Sequence, residues 1–192
     1  MRGTKRPLPS TCAEKIEASS ELKRQGNEAF KAGDFKLARR LYSKVFLYLN
    51  GLHGEDSPMR GFFSAMGAPA DFGSNETEGN AQDLQIKELK SEANCNLALV
   101  YSKLGNPEKS LKHANDTLLL VPGHAKAQFR KAVALSELGR FDESLAVVSS
   151  ALKADPESQA LKRLEGEVGK SKRKANKEAN EKEKEMFKGA FA

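Results

Sequence analysis

Two stretches of the chain, SEANCNLALVYSKLGNPEKSLKHANDTLLLVP (residues 91–122) and AKAQFRKAVALSELGRFDESLAVVSSALKADP (residues 125–156), run through the same order of apolar and polar positions. In each, apolar or small residues recur every three or four places, as one face of a helix requires. A Gly then interrupts, a second such run follows, and a Pro closes it. Gly105 and Gly139 are 34 residues apart, as are Pro122 and Pro156. A fixed period of that size predicts stacked helix-turn-helix units. An earlier copy begins near Ser19 and carries Leu22, Gly26, Ala29, Gly33, Phe35, Ala38 and Tyr42.

Gly33 and Gly105 are 72 residues apart, 38 more than one period. An insertion over residues 51–82, rich in Gly, Pro and polar residues, accounts for the excess. A loop of that length is usually functional or disordered, and Phe62, Phe63, Met66 and Phe72 give this one an apolar spine. The expectation is a flexible loop whose alternative role is contact with a second protein. After Pro156, Leu161, Leu164 and Val168 at spacings of three and four predict a helix that covers the last apolar face of the array. Beyond Val168 the same helix turns polar, held by Glu and Lys pairs, and ends in Met186, Phe187 and Phe191. The expected divisions are a flexible tail at 1–13, a repeat domain at 14–156 and a capping helix with charged tail at 157–192. Within the domain, repeats occupy about 19–50, 91–122 and 125–156.

Composition narrows the function classes. With 192 residues, 39% hydrophobic and 30% charged, the chain suits a small helical array better than a thick α/β enzyme. The net charge is +6, but residues 162–192 hold ten Lys/Arg against six Asp/Glu, so nucleic-acid binding is not expected. Cys12, in the polar tail, and Cys95, in a helical run, imply no disulfide framework. The N-terminus has basic residues without an apolar segment after them, and no run approaches a membrane span. A soluble monomer of the cytoplasm, or also the nucleus, is the expectation, without stable membrane insertion. His53, His113 and His124 are scattered, the last two near helix starts where surface histidines are common. No phosphate loop, dinucleotide fingerprint or metal-ligand spacing occurs, so neither an enzyme, a cofactor nor a metal is expected.

The repeats resemble the tetratricopeptide repeat, whose signature sets apolar or small residues at positions 4, 7, 8, 11, 20, 24 and 27, Gly at 15 and Pro at 32. Leu97, Ala98, Tyr101, Gly105 and Pro122 match in the second copy, and Ala132, Leu135, Gly139, Phe141, Ala151 and Pro156 in the third. Pro107 departs at position 17 and Lys131 at position 7, which is expected to loosen packing locally. The resemblance implies an all-α, three-repeat right-handed superhelix of antiparallel helix pairs.

Signature positions 4, 7, 8 and 11 of each first helix fall within an arc of about 100°, the stripe that packs. Positions 2, 5, 6 and 9 point the other way, which in the superhelix lines the concave groove. They hold Lys23, Asn27, Asn96, Lys126 and Arg130. Cations together with amides suit an extended, carboxylate-rich peptide, because Arg grips a carboxylate bidentately while Asn both donates and accepts. These five residues resemble the dicarboxylate clamp of chaperone-binding tetratricopeptide domains, found in co-chaperones and large immunophilins. That resemblance implies docking of the Glu-Glu-Val-Asp tail of a cytosolic heat-shock chaperone. It also implies an adaptor, since the residues ahead of repeat one leave no room for a prolyl isomerase domain.

Cys95, Leu99, Lys103, Phe129 and Val133 occupy further groove positions and are expected to form side-chain pockets, Lys103 meeting an upstream acid. Glu92 is an anion facing the same channel, placed to pair with Lys23 or Lys126 or to lean outward. The rival reading is a scaffold that binds another acidic or internal segment. In that reading the basic tail serves as a calmodulin target or membrane-surface segment, whereas the adaptor reading gives a second protein the 51–82 insertion or the 170–192 tail to contact.

Overall fold

The computed structural model describes residues 9–50, 52 and 76–190. Phe62, Phe63, Met66, Phe72, His53 and Phe191 lie outside the described residues. Among the described residues seven α-helices follow one another and no strand occurs, as the expected all-α class requires. They are α1 (Cys12–Lys31), α2 (Phe35–Leu49), α3 (Glu76–Lys103), α4 (Pro107–Leu120), α5 (Ala125–Glu137), α6 (Phe141–Ala154) and α7 (Gln159–Ala190). The chain divides into two compact units, Met1–Val100 and Tyr101–Ala192.

Local chemistry sets the helix ends. At α1 the Thr11 side chain accepts the Glu14 N–H at 3.2 Å, and the Glu14 carboxylate accepts the Thr11 N–H at 3.1 Å. Such a capping box satisfies two donors the helix would otherwise strand, worth about 1 kcal/mol. Hence α1 begins at Cys12, inside the stretch expected to be tail. Cys12 and Ile16 rest on the first core. The turns after α1, α3 and α5 each contain a glycine of positive φ, Gly33 at 81°, Gly105 at 68° and Gly139 at 75°. That conformation costs an L side chain strain and costs glycine none. It lets the chain reverse within three residues and starts the partner helix. Pro107 is the first residue of α4, a position where its missing N–H is no loss, so the departure there favours the helix start.

In the first unit, Val45 and Leu49 of α2 bury against Ile86, Leu89 and Ala93 of α3. The helix α3 therefore starts upstream of Ser91 and takes up part of the stretch expected as insertion. Its stripe of Ile86, Leu89, Ala93, Leu97 and Val100, spaced by three and four, is buried along its whole length. The helices α1 and α2 meet closely at Gly26. A Cβ there would stand 2.6 Å from Cε1 of Tyr42, so the ring lies directly on the α1 backbone.

The second unit has its own core of Ala132, Val148, Ala151, Leu161, Leu164 and Val168. The last three belong to α7, which covers α5 and α6 as a capping helix should. Past Val168 the helix carries the expected pairs Lys174–Glu178 and Lys177–Glu181, each 3.8 Å apart, and Lys172 reaches back to Asp142. Met186 and Phe187 are 71% and 60% exposed. His113 sits in the interior of α4, away from the helix start, and stacks on the Tyr101 ring at 5.3 Å and 4°.

Candidate functional site

Lys23 and Asn27 stand one turn apart on α1, and Glu92 and Asn96 one turn apart on α3. The two pairs meet side to side within the first unit. Lys23 donates to the Glu92 carboxylate, with the two side chains 26% and 41% exposed. Of the places open to Glu92, the ion pair with Lys23 is the one it takes. One turn along, Asn96 Nδ2 donates to Asn27 Oδ1 at 3.2 Å.

A third residue fixes that second layer. Tyr42, 2% exposed in the core, sends its hydroxyl to the same Asn27 Oδ1 at 2.7 Å. An amide oxygen has two lone pairs, and both now have donors. Asn27 is thus left to offer its NH2 group, whereas Asn96 keeps its oxygen and one N–H. Two neighbouring amides are thereby oriented with opposite roles, one donating and one able to accept. Sequence reasoning placed Tyr42 in the packing stripe, and its polar tip carried no signal of a second role.

Beside this network lies an open cavity of about 180 Å³ lined by Asn27, Phe30, Lys31, Tyr42, Asn96 and Leu99. Small-molecule sites run to roughly 300–1,000 Å³ and enclose their ligand, so this recess suits a single side chain of a longer ligand. Leu99, expected at the groove, is on its wall. Cys95, expected to line a pocket, is instead 3% exposed, part of the core and closed to any ligand. Phe30 and Lys31 line the recess without having been singled out in the sequence.

The other expected residues belong to the second unit or to the last turn of α3. Lys126 and Arg130 lie four apart on α5, the first exposed and the second half-buried. Phe129 and Val133, expected to line pockets, are half-buried and pack against the core of Ala132 and Val148. Lys103 is exposed at the end of α3. Among the described residues no group of three His, Cys, Asp or Glu could hold a metal ion, and no helix is long and apolar enough to cross a membrane.

Residues 95–159 match the family model of the tetratricopeptide repeat. The peptidyl-prolyl cis-trans isomerase FKBP42 of Arabidopsis thaliana is 26% identical over 181 residues, which are 94% of this chain and 43% of that protein. The solved Hsp90 co-chaperone Cns1 of Saccharomyces cerevisiae superposes with a TM-score of 0.67 at 20% identity, over 92% of this chain and 46% of that one. The second TPR domain of human RPAP3, solved in complex with the HSP70 peptide SGPTIEEVD, superposes at 0.56 and 16% identity, over 83% of this chain and 98% of that one. The chain spans less than half the length of the first curated relatives, 19%, 36% and 43% of three of them. These likenesses establish the tetratricopeptide-repeat fold.

Proposed function

We propose that this tetratricopeptide-repeat chain is an adaptor that docks the acidic C-terminal tail of a cytosolic heat-shock chaperone, and so works in the cytoplasm. The observation that carries the reading is the oriented pair Asn27 and Asn96 beside the ammonium of Lys23. A terminal carboxylate is a flat, doubly accepting anion. It takes the Asn27 NH2 and the Lys23 ammonium, while the peptide's last backbone N–H donates to the Asn96 oxygen. The part of Lys126 and Arg130 in the same proposal rests on their spacing in the sequence. The ligand class is supported by the RPAP3 domain, which was solved with an HSP70 peptide ending in Glu-Glu-Val-Asp.

The magnitudes agree. A micromolar complex needs about 8 kcal/mol, and charge-assisted hydrogen bonds contribute roughly 1.5–3 kcal/mol each before ordering costs. Separating Lys23 from Glu92 costs little, since half-exposed ion pairs are worth about 0–1 kcal/mol. Substitution tests the reading: Lys126→Ala or Arg130→Ala weakens binding of a Glu-Glu-Val-Asp peptide at least tenfold in calorimetry, with helicity retained. Unchanged affinity in both variants contradicts it.

A further inference from the structure

Glu92 is an internal carboxylate on the cation that the proposed ligand's carboxylate needs. It stands on α3 one turn before Asn96, as Lys23 stands on α1 one turn before Asn27, so anion and cation face each other in one layer and the two amides in the next. Any carboxylate that reaches Lys23 therefore arrives beside a second one. Two carboxylates sharing one ammonium repel, and a groove that presents like charge to its ligand discriminates against it. The repulsion is relieved in two ways. Glu92 swings into water, or the ligand brings a cation of its own to pair with it.

We infer that Glu92 is a specificity-determining residue, which selects among carboxylate-terminated peptides for those carrying a Lys or Arg near the terminus. In the empty groove Glu92 satisfies Lys23. In the complex the terminal carboxylate takes Lys23, and the displaced Glu92 accepts from the ligand's ammonium or guanidinium. In an extended peptide alternate side chains share a side, about 6.6 Å apart. The residue two places before the terminal one is thus within reach of the same layer, given the length of a Lys or Arg side chain. A wholly acidic tail lacks this partner and binds below the limit its other contacts allow. The inference rests on the docking reading above and deepens it.

Two synthetic peptides and two proteins form the test: one peptide ends Glu-Glu-Val-Asp, the other Glu-Lys-Val-Asp, each titrated into the whole chain and its Glu92→Gln variant. Glu92 is 41% exposed and Gln keeps its shape, so the variant folds, which the circular-dichroism melt checks. Expected is that Glu92→Gln tightens the Glu-Glu-Val-Asp peptide at least threefold. The ratio of affinities, Lys peptide over Glu peptide, should fall at least fivefold from wild type to variant. A ratio identical in the two proteins overturns the role of Glu92 and leaves the docking reading standing. Binding of neither peptide to either protein overturns the docking reading, and this inference with it.

Discussion

The hydroxyl of Tyr42 donates to Oδ1 of Asn27 at 2.7 Å, which ties a buried residue of the first unit to the face where a ligand is proposed to sit. The bond exists because Gly26 lets the ring lie against α1; any side chain at that place would lift it away. Core packing and the proposed ligand recognition are thus coupled through one aromatic ring. Without the hydroxyl, the Asn27 oxygen keeps only the Asn96 donor and loses its tie to the core.

Tyr42→Phe should therefore show two effects of different size. Stability should fall by about 0.5–1.5 kcal/mol, the usual worth of one hydrogen bond. Affinity for a carboxylate-terminated peptide should fall several-fold at a temperature where both proteins are fully folded. Denaturant unfolding and calorimetry on the same samples read the two effects, and an unaffected affinity would show that Asn27 needs no orientation.

Gly26→Ala sets helix propensity against packing. Alanine in a helix gains about 1 kcal/mol over glycine. Overpacking a core costs about 1–3 kcal/mol, and here the new methyl would meet the Tyr42 ring at 2.6 Å. Packing should win, giving a protein destabilised by up to about 2 kcal/mol, visible as a lower urea midpoint; a stabilised variant would mean the ring moves freely.

Burial beside the Tyr101 ring pushes the His113 imidazole below its ordinary 6.5, opposed by Asp116 and aided by Lys112 and Lys109. The unfolded chain then takes up the proton more readily than the folded one. The contribution of His113 to stability is full above pH 6.5, falls as the pH drops through that value, and levels off below the folded-state pKa. The thermal midpoint of the wild type should therefore fall on acidification from about pH 7.5 to about pH 5.5, and that of His113→Gln should fall less. Equal slopes would contradict it.

Three helices follow a glycine turn, and only two have a side-chain cap. Asp34 accepts from the Leu37 N–H at 2.9 Å and Asn106 from the Lys109 N–H at 3.1 Å. Arg140 holds a similar place before α6 without a capping bond, and pairs instead with Glu143. The exposed pair is worth little, whereas a cap is worth about 1 kcal/mol. Arg140→Asn should raise stability by about 0.5–1 kcal/mol in denaturant unfolding, with no change in peptide affinity.

The periodic parts of the molecule were readable because each repeat obeys the same helical spacing and the same glycine turn. The start of α1 was missed although Thr11 and Glu14 spell a capping box, because the polar residues around Cys12 read as a tail. The early start of α3 was concealed by anchoring the repeat at Ser91, although Ile86 and Leu89 continue its stripe. At the site, the spacing singled out Lys23, Asn27 and Asn96, and the structure brings these three into two touching layers with Glu92. The Tyr42 bond was invisible because it depends on how closely two helices approach, a tertiary quantity that no local pattern encodes. The burial of Cys95 was hidden likewise, since a wheel gives direction and not cover.

The central claim is that a free terminal carboxylate is what the groove recognises. Isothermal titration of the whole chain with a Glu-Glu-Val-Asp peptide, as the free acid and with its C-terminus amidated, measures this directly. The account predicts micromolar binding of the acid and a loss of at least tenfold for the amide. Equal affinity for the two would contradict it and favour a groove that holds internal acidic segments.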